Sequence, residues 1–153
     1  MLRKDFIKKK ISLIQEELGR LVVFKDFTLE EIAGDFFKYN TLERLLEKII
    51  IRAIDINQHI IGELADEKTK APDSYRDTFT EITKFEVYPK EFGEKISQSV
   101  GTRNVLVHDY DDDETDYKKI YYSVGDCLKE YHKYCEYILE FLEKGKASET
   151  RLV

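Results

Sequence analysis

Four polar residues that could act on a phosphodiester lie close together in the segment 101–110. Arg103, Asn104, His108 and Tyr110 are interleaved there with apolar residues. Histidine can move a proton at neutral pH because its ordinary pKa is about 6.5, and arginine offers phosphate a planar fork of donors. His108 is therefore a candidate to take the proton from a 2′-hydroxyl or to give one to the leaving oxygen. Arg103 is a candidate to stabilise charge on the phosphate, so the pair could cleave RNA without a metal.

The spacing of these four residues fits a single helix. At 3.6 residues per turn, Arg103 and Tyr110 share a face, and Asn104 and His108 are neighbours on an adjacent face. The residues alone leave a second interpretation open. Arg103 could pair with an acidic residue and His108 could occupy a helix C-terminus, where a cation is favoured, so that the motif only braces the end of the helix.

Composition and length indicate one domain built from long helices. The chain has 153 residues, of which 42% are hydrophobic and 37% are charged, with 7 Gly and 2 Pro. A chain of this size buries roughly 68–70% of its unfolded surface, so we predict a single domain over residues 1–153 with a polar tail from about 145. The net charge of −6 is unlike that of proteins that coat nucleic acid through a basic surface. We expect any RNA to be bound at a local pocket.

Sequence features of secretion, membrane insertion and metal binding are missing. The N-terminus lacks the apolar stretch of a signal peptide, and apolar runs such as 49–51 are far shorter than the ~20 residues of a membrane span. Cys127 and Cys135 lie too far apart along one predicted helix to bridge each other, so we predict two reduced thiols. We expect a cytoplasmic protein with no metal and no cofactor.

Apolar periodicity predicts an all-α, antiparallel bundle of five or six helices without a convincing strand. The first helix runs over about 5–24. A capping box at Thr28 starts a short helix, and a bend near 39–40 precedes a long one over about 42–64. Asp73 or Ser74 caps another short helix, and Pro89 starts the helix that carries the motif. The last helix is capped near 115–116 and ends at about 144, with a frayed tail after it.

The motif and its flanking residues resemble a known family. Arg103–x4–His108–x–Tyr110, in the form RNxLVHxY, resembles the signature of HepT-like proteins, also called the DUF86 family, within the HEPN superfamily. The likeness continues upstream through Glu43-Arg44, the string DIxxHII at 55–61 and the string PxSY at 72–75. It continues downstream over 117–141, so the resemblance covers roughly residues 3–144.

The resemblance implies a fold, an activity and partners. Members are all-α homodimers of the HEPN type, in which two copies of the motif helix form a shared cleft for RNA. It implies a metal-independent endoribonuclease that is the toxin of a HEPN/MNT type II toxin–antitoxin system, with Arg103 and His108 catalytic and Asn104 supporting. It also implies an MNT-type nucleotidyltransferase antitoxin that attaches AMP to Tyr110. AMP there would add bulk and negative charge beside the cleft.

An acidic run next to the motif departs from this simple picture. Its six carboxylates, which would repel RNA, are Asp109, Asp111, Asp112, Asp113, Glu114 and Asp116. The run could be a solvated loop that caps the last helix, a docking surface for a basic antitoxin face, or a metal site. The last is disfavoured because the glycine and distal glutamate of a calcium loop are missing. If the run covers the cleft, the alternative function is a non-catalytic helical module that docks a nucleotidyltransferase.

The remaining aromatic and histidine residues receive structural interpretations. We expect His59 and His132 to be packed or surface histidines rather than ligands. The last helix carries six tyrosines at positions 117, 121, 122, 131, 134 and 137. At helical spacing such residues are more often core and interface groups than stacking platforms for bases. A third, purely structural function for the whole chain also remains open.

Overall fold

In the computed structural model, the chain folds into a set of packed helices. The structure describes residues 1–108 and 114–151, with side chains described for 1–103 and 117–145. Its α-helices are α1 (Lys4–Leu21), α2 (Leu29–Ala33), α3 (Phe36–Leu64), α4 (Tyr75–Glu81), α5 (Lys90–Ser97), α6 (Ser99–His108) and α7 (Glu114–Arg151). Turns of 3-10 helix follow α1 at Val22–Asp26 and α4 at Ile82–Phe85. These described residues contain no strand, so the all-α prediction is confirmed.

Helix α3 is the centre of the fold, with α1 and α7 packed along it. Ion pairs of Lys10 with Asp55 and of Arg52 with Glu17 show that α1 runs antiparallel to α3. The apolar residues of α3 recur every three or four positions, which gives it a wide buried stripe that can face several partners. Its fully buried side chains include Leu42, Leu46, Ile49, Ala53, Ile54, Ile56 and Ile60.

The long helix begins earlier than predicted, because Asp35 caps it. The Asp35 Oδ1 atom accepts hydrogen bonds from the backbone N–H groups of Phe37 at 2.9 Å and Lys38 at 3.2 Å. These bonds satisfy two of the donors that a helix N-terminus leaves unpaired. Positions 39 and 40 therefore lie inside α3, and the bend predicted there is wrong.

Three other predicted helix starts agree with the structure. The Thr28 hydroxyl accepts from the Glu31 N–H at 3.1 Å and caps α2. The Ser74 hydroxyl accepts from the Asp77 N–H at 3.2 Å and caps α4. Pro89 occupies the N-cap position of α5, where its missing N–H costs nothing because that donor would be unpaired anyway.

The predicted motif helix is interrupted at Gln98, which separates α5 from α6. The hydroxyls on either side, those of Ser97 and Ser99, donate to the carbonyls of Glu94 at 2.6 Å and Ile96 at 2.7 Å. Such bonds to a preceding turn compete with the helical ladder and bend helices. The apolar period continues across the break, which is why the sequence pattern joined the two helices into one.

The last helix is longer than predicted. It runs from Glu114 to Arg151, so the tail expected to fray after about 145 is helical. Lysine, alanine, glutamate and arginine all favour helix, and a single glycine costs only about 1 kcal/mol. The predicted start near 115–116 agrees within the usual one or two residues. Across the described helices, none is long and apolar enough to cross a membrane.

Candidate nucleic-acid site on helix α6

Arg103 is the one predicted site residue whose side chain is described. It lies in the middle of α6 and is half-buried. Its guanidinium carbon lies 5.2 Å from the centroid of the Tyr75 ring. Its Nε atom is buried and has no hydrogen-bond partner in the described part of the chain. An unsatisfied buried donor costs about 1–3 kcal/mol, so an acceptor for this N–H would have to come from outside the described residues.

Tyr75 orients the guanidinium of Arg103. An arginine stacked on an aromatic ring keeps its plane fixed while the donors at its edges remain available for phosphate. The Tyr75 side chain is 43% exposed, so the stacked pair lies at the surface. A contact of this kind contributes about 0.5–1 kcal/mol at an exposed site. The contact therefore holds the guanidinium against the Tyr75 ring at the surface of the protein.

A chain of buried polar groups fixes the position of Tyr75. The hydroxyl of Tyr134, in α7, donates to Asn57 Oδ1 in α3 at 2.6 Å. Asn57 Nδ2 donates to the Thr78 hydroxyl at 3.2 Å, and that hydroxyl donates to the Tyr75 carbonyl at 2.6 Å. Tyr134, Asn57 and Thr78 are all buried. The first turn of α4 is thus tied through α3 to the core of α7.

A second buried tyrosine fixes the beginning of α6. The hydroxyls of Tyr131 and Ser99 lie 2.6 Å apart. Ser99 donates its own proton to the Ile96 carbonyl, so Tyr131 is the donor to the Ser99 oxygen. Burial raises the pKa of Tyr131, which keeps this hydroxyl a neutral donor. Arg76 of α4 also donates to Gln98 Oε1 at 2.5 Å. The helix that carries Arg103 and the helix that carries Tyr75 are therefore fastened at neighbouring points.

The other predicted motif residues are only partly covered by the structure. Asn104 and His108 belong to α6 by their backbone, which confirms that the segment from Arg103 to His108 is helical. The side chains of Asn104 and His108 lie outside the described residues, as does all of Tyr110. The acidic positions 109 and 111–113 also lie outside them. That these side chains meet at one phosphate stays a prediction.

The two histidines outside the motif have the structural roles expected of them. His59 Nε2 accepts from the Arg3 N–H at 3.0 Å, and its ring packs on Phe6 with the centroids 5.2 Å apart. His132 is exposed, with Nε2 3.0 Å from the Glu136 carboxylate. Among the described residues, no group of three histidine, cysteine or acidic side chains could hold a metal ion.

The described surface between α6 and α7 carries mixed charge. A cavity of about 430 Å³ between α6 and α7 is lined by Thr102, Lys119, Tyr122 and Asp126, among others. Among the side chains that the structure describes, one lysine and one carboxylate therefore lie together along this cavity.

Comparison with known proteins identifies the family. The sequence model of the family described as Ribonuclease HepT-like matches residues 7–138. The chain belongs to the HepT-like ribonuclease family. The membership predicted from the motif is confirmed, and the matched range lies within the predicted 3–144. Sequence reasoning noted Tyr75 only as part of the string PxSY and missed its contact with Arg103.

Two relatives in sequence are themselves HepT nucleases. The tRNA nuclease HepT of Aphanizomenon flos-aquae is 33% identical over 138 residues, which cover 89% of each chain. The mRNA nuclease HepT of Shewanella oneidensis is 32% identical over 105 residues, which cover 68% of this HepT-like chain and 70% of the relative. The family is thus matched over most of the length of the chain.

A solved structure shows the same fold. It is a tri-AMPylated HEPN toxin of Shewanella oneidensis in complex with an MNT antitoxin, with a TM-score of 0.74 and 24% sequence identity. The match covers 89% of this chain and 98% of the toxin. The HEPN type of the all-α fold, predicted from the motif, is therefore confirmed.

Proposed function

We propose that this HepT-like protein is the toxin of a HEPN/MNT type II toxin–antitoxin system, acting in the cytoplasm as a metal-independent endoribonuclease. Membership of a ribonuclease family and two relatives that are RNA nucleases support cleavage of RNA. The observation that carries the proposal is Arg103, a stacked and half-buried arginine of the motif helix whose buried Nε has no acceptor among the described residues. A phosphate would supply that acceptor.

The proposed reaction uses the ribose as its own nucleophile. His108 takes the proton of the 2′-hydroxyl, and the oxygen then attacks the adjacent phosphorus while the bond to the 5′-oxygen breaks. His108 is also the proposed donor of the proton that the leaving 5′-oxygen takes up. Arg103 binds the non-bridging oxygens, on which negative charge grows in the transition state, and Asn104 supports the pair. A cyclic phosphate and a free 5′-hydroxyl are the products.

The separation of the two catalytic positions favours a site made by two subunits. Arg103 and His108 are five positions apart in α6, which is about 7.5 Å along the axis and about 140° around it. A phosphate that contacts both residue types is most easily placed where two copies of α6 meet. We therefore propose a homodimer with a composite site on its twofold axis.

The proposed control is by AMP transfer from an MNT-type nucleotidyltransferase antitoxin to Tyr110. A toxin with the same fold is tri-AMPylated and held in a complex with an MNT antitoxin, which supports this part of the proposal. Tyr110 comes two residues after His108. Each AMP would add negative charge and bulk next to the proposed phosphate position, repelling and excluding RNA.

Cleavage of RNA in EDTA by the purified protein tests the enzymatic proposal. The variants are His108→Ala, Arg103→Lys and, as a matched histidine control, His132→Ala. We expect His108→Ala to lose roughly 100-fold or more of the rate, the usual contribution of a general acid or base. Arg103→Lys should also lose rate because an ammonium group lacks the planar fork, whereas His132→Ala should cleave like the wild type. Wild-type protein that cleaves no faster than His108→Ala would overturn the proposal.

The alternative of a non-catalytic docking module is favoured by the net charge of −6 and by the acidic run over 109–116. Its test is co-purification with the product of a neighbouring nucleotidyltransferase gene. A stable complex formed by a wild-type protein that shows no cleavage would favour this alternative. An intact mass raised by AMP units is compatible with either function, so it does not separate them.

A further inference from the structure

A ligand-sized cavity adjoins the Arg103 site. It has a volume of about 530 Å³ and lies between the C-terminal part of α3 and the beginning of α4. Pockets that bind small ligands range over about 300–1,000 Å³. Tyr75 lines this cavity and is also the residue on which Arg103 stacks. The cavity and the proposed phosphate position therefore adjoin the same aromatic side chain.

The walls of the cavity combine an aromatic surface with polar groups. Pro72 and Ile61 provide apolar contacts beside Tyr75. Ser74 and Gln58 bring neutral polar atoms, and Asp73 brings a carboxylate that is paired with Lys70 at 3.3 Å. Within the described chain, no hydrogen bond uses the amide of Gln58, which is exposed. Proteins read an unpaired base by stacking it on an aromatic ring and by hydrogen bonds to its edge. An amide offers both a donor and an acceptor for that edge.

A glycine keeps part of the cavity open. Gly62 is in α3 and lines the cavity, and a Cβ atom built on it would meet no heavy atom within 4 Å. A larger side chain at this position would therefore enter space that is now empty. The buried Tyr134–Asn57–Thr78 hydrogen bonds hold the first turn of α4, which forms another wall of the cavity.

We propose that this cavity is a nucleobase subsite of the ribonuclease. It receives the base of a nucleotide at the cleavage site, stacked on Tyr75, while Arg103 holds the phosphate of that nucleotide. The base and the phosphate of one nucleotide are joined through a single sugar, which suits two adjacent sites that share Tyr75. The inference rests on the proposed function, and it assigns the cavity as the site at which the identity of a base influences which bond is cut.

Two pairs of variants separate this subsite from a general effect on folding. Gly62→Leu places a bulky side chain at the wall of the cavity and also removes a helix-destabilising glycine, so the helix is retained. Gly19→Leu is its matched control, because Gly19 is also helical and exposed, has an open Cβ position and lies outside the cavity. Tyr75→Phe keeps the aromatic ring, whereas Tyr75→Leu removes it.

Direct binding tests the subsite without any requirement for cleavage. The four nucleoside 5′-monophosphates are compared with ribose 5-phosphate by calorimetry, using the full-length protein. In the wild type, Gly19→Leu and Tyr75→Phe, we expect at least one nucleotide to bind about tenfold tighter than ribose 5-phosphate, the size of one base–aromatic stack. In Gly62→Leu and Tyr75→Leu this advantage should be lost. No advantage in the wild type, or an advantage that persists in Gly62→Leu, would overturn the proposal.

Cleavage of short oligonucleotides then tests whether the bound base belongs to the substrate. Gly62→Leu should raise KM and weaken the preference among bases at the cut, while Gly19→Leu should match the wild type. If the wild type does not cleave RNA, the proposed function fails, and the binding data still decide whether the cavity takes a base. If nucleotides bind but Gly62→Leu cleaves like the wild type, the subsite is refuted, because the cavity would then serve another nucleotide.

Discussion

Removing the hydroxyl of Tyr134 tests the buried chain of hydrogen bonds that positions the site. The Tyr134 side chain is fully buried, and its hydroxyl donates to Asn57 Oδ1 at 2.6 Å. Tyr134→Phe keeps the ring, including its contacts with the rings of Phe79 and Tyr131. The substitution therefore removes one oxygen and leaves the packing of the core in place.

The expected loss of stability follows from what the substitution leaves behind. A typical internal hydrogen bond contributes about 0.5–1.5 kcal/mol, but a buried acceptor left without a donor raises the loss to about 1–3 kcal/mol. Asn57 is fully buried, so its Oδ1 atom cannot form a replacement hydrogen bond with solvent water. We expect Tyr134→Phe to lower the free energy of unfolding by about 2 kcal/mol. In a chain of this length each kcal/mol corresponds to roughly 2–4 °C in Tm.

Urea unfolding at one fixed protein concentration measures this loss. The matched control is Tyr137→Phe, because Tyr137 is in the same helix and its hydroxyl makes no hydrogen bond among the described residues. The control should change the free energy by less than about 0.5 kcal/mol. A double-mutant cycle with Asn57→Ala should give a coupling energy of about 1 kcal/mol. Equal losses in the two tyrosine variants, or no coupling, would refute the reasoning.

Three further predictions concern stability and reactivity. Burial raises the pKa of Glu17, but hydrogen bonds led by that of Arg52 outweigh it and lower the pKa overall. The Glu17 carboxylate contributes stability at pH values above the ordinary glutamate pKa, and this contribution is lost as the pH falls through the lowered pKa. Glu17→Gln should therefore make the free energy of unfolding, measured in urea, fall less steeply toward acid pH. Burial raises the pKa of Cys127 and raises that of Cys135 to about 12, so a disulfide reagent should modify both only after unfolding; rapid reaction of the native protein would contradict this. Thr28→Ala should lower the free energy of unfolding by about 1 kcal/mol because α2 loses its cap, and Thr28→Ser should not.

Local rules made several features predictable from the sequence. The all-α class follows from apolar spacing, and the caps of α2 and α4 follow from hydroxyl residues at the positions where a helix has unpaired N–H groups. The same rules failed where two signals compete. Asp35 starts α3 before the apolar run begins, and the serines around Gln98 interrupt a helix whose apolar period continues.

The amino-acid sequence alone determined the helical class, the family and the positions of the motif residues, because the helical period and the motif depend on the order of residues along the chain. Tertiary structure decided that Tyr75 lies under Arg103, 28 positions away along the chain. It also decided that Tyr134, 77 positions from Asn57, supports that contact from the core. Contacts between distant segments depend on how whole helices pack against each other, and a periodic pattern within one helix carries no information about which partner residue it meets.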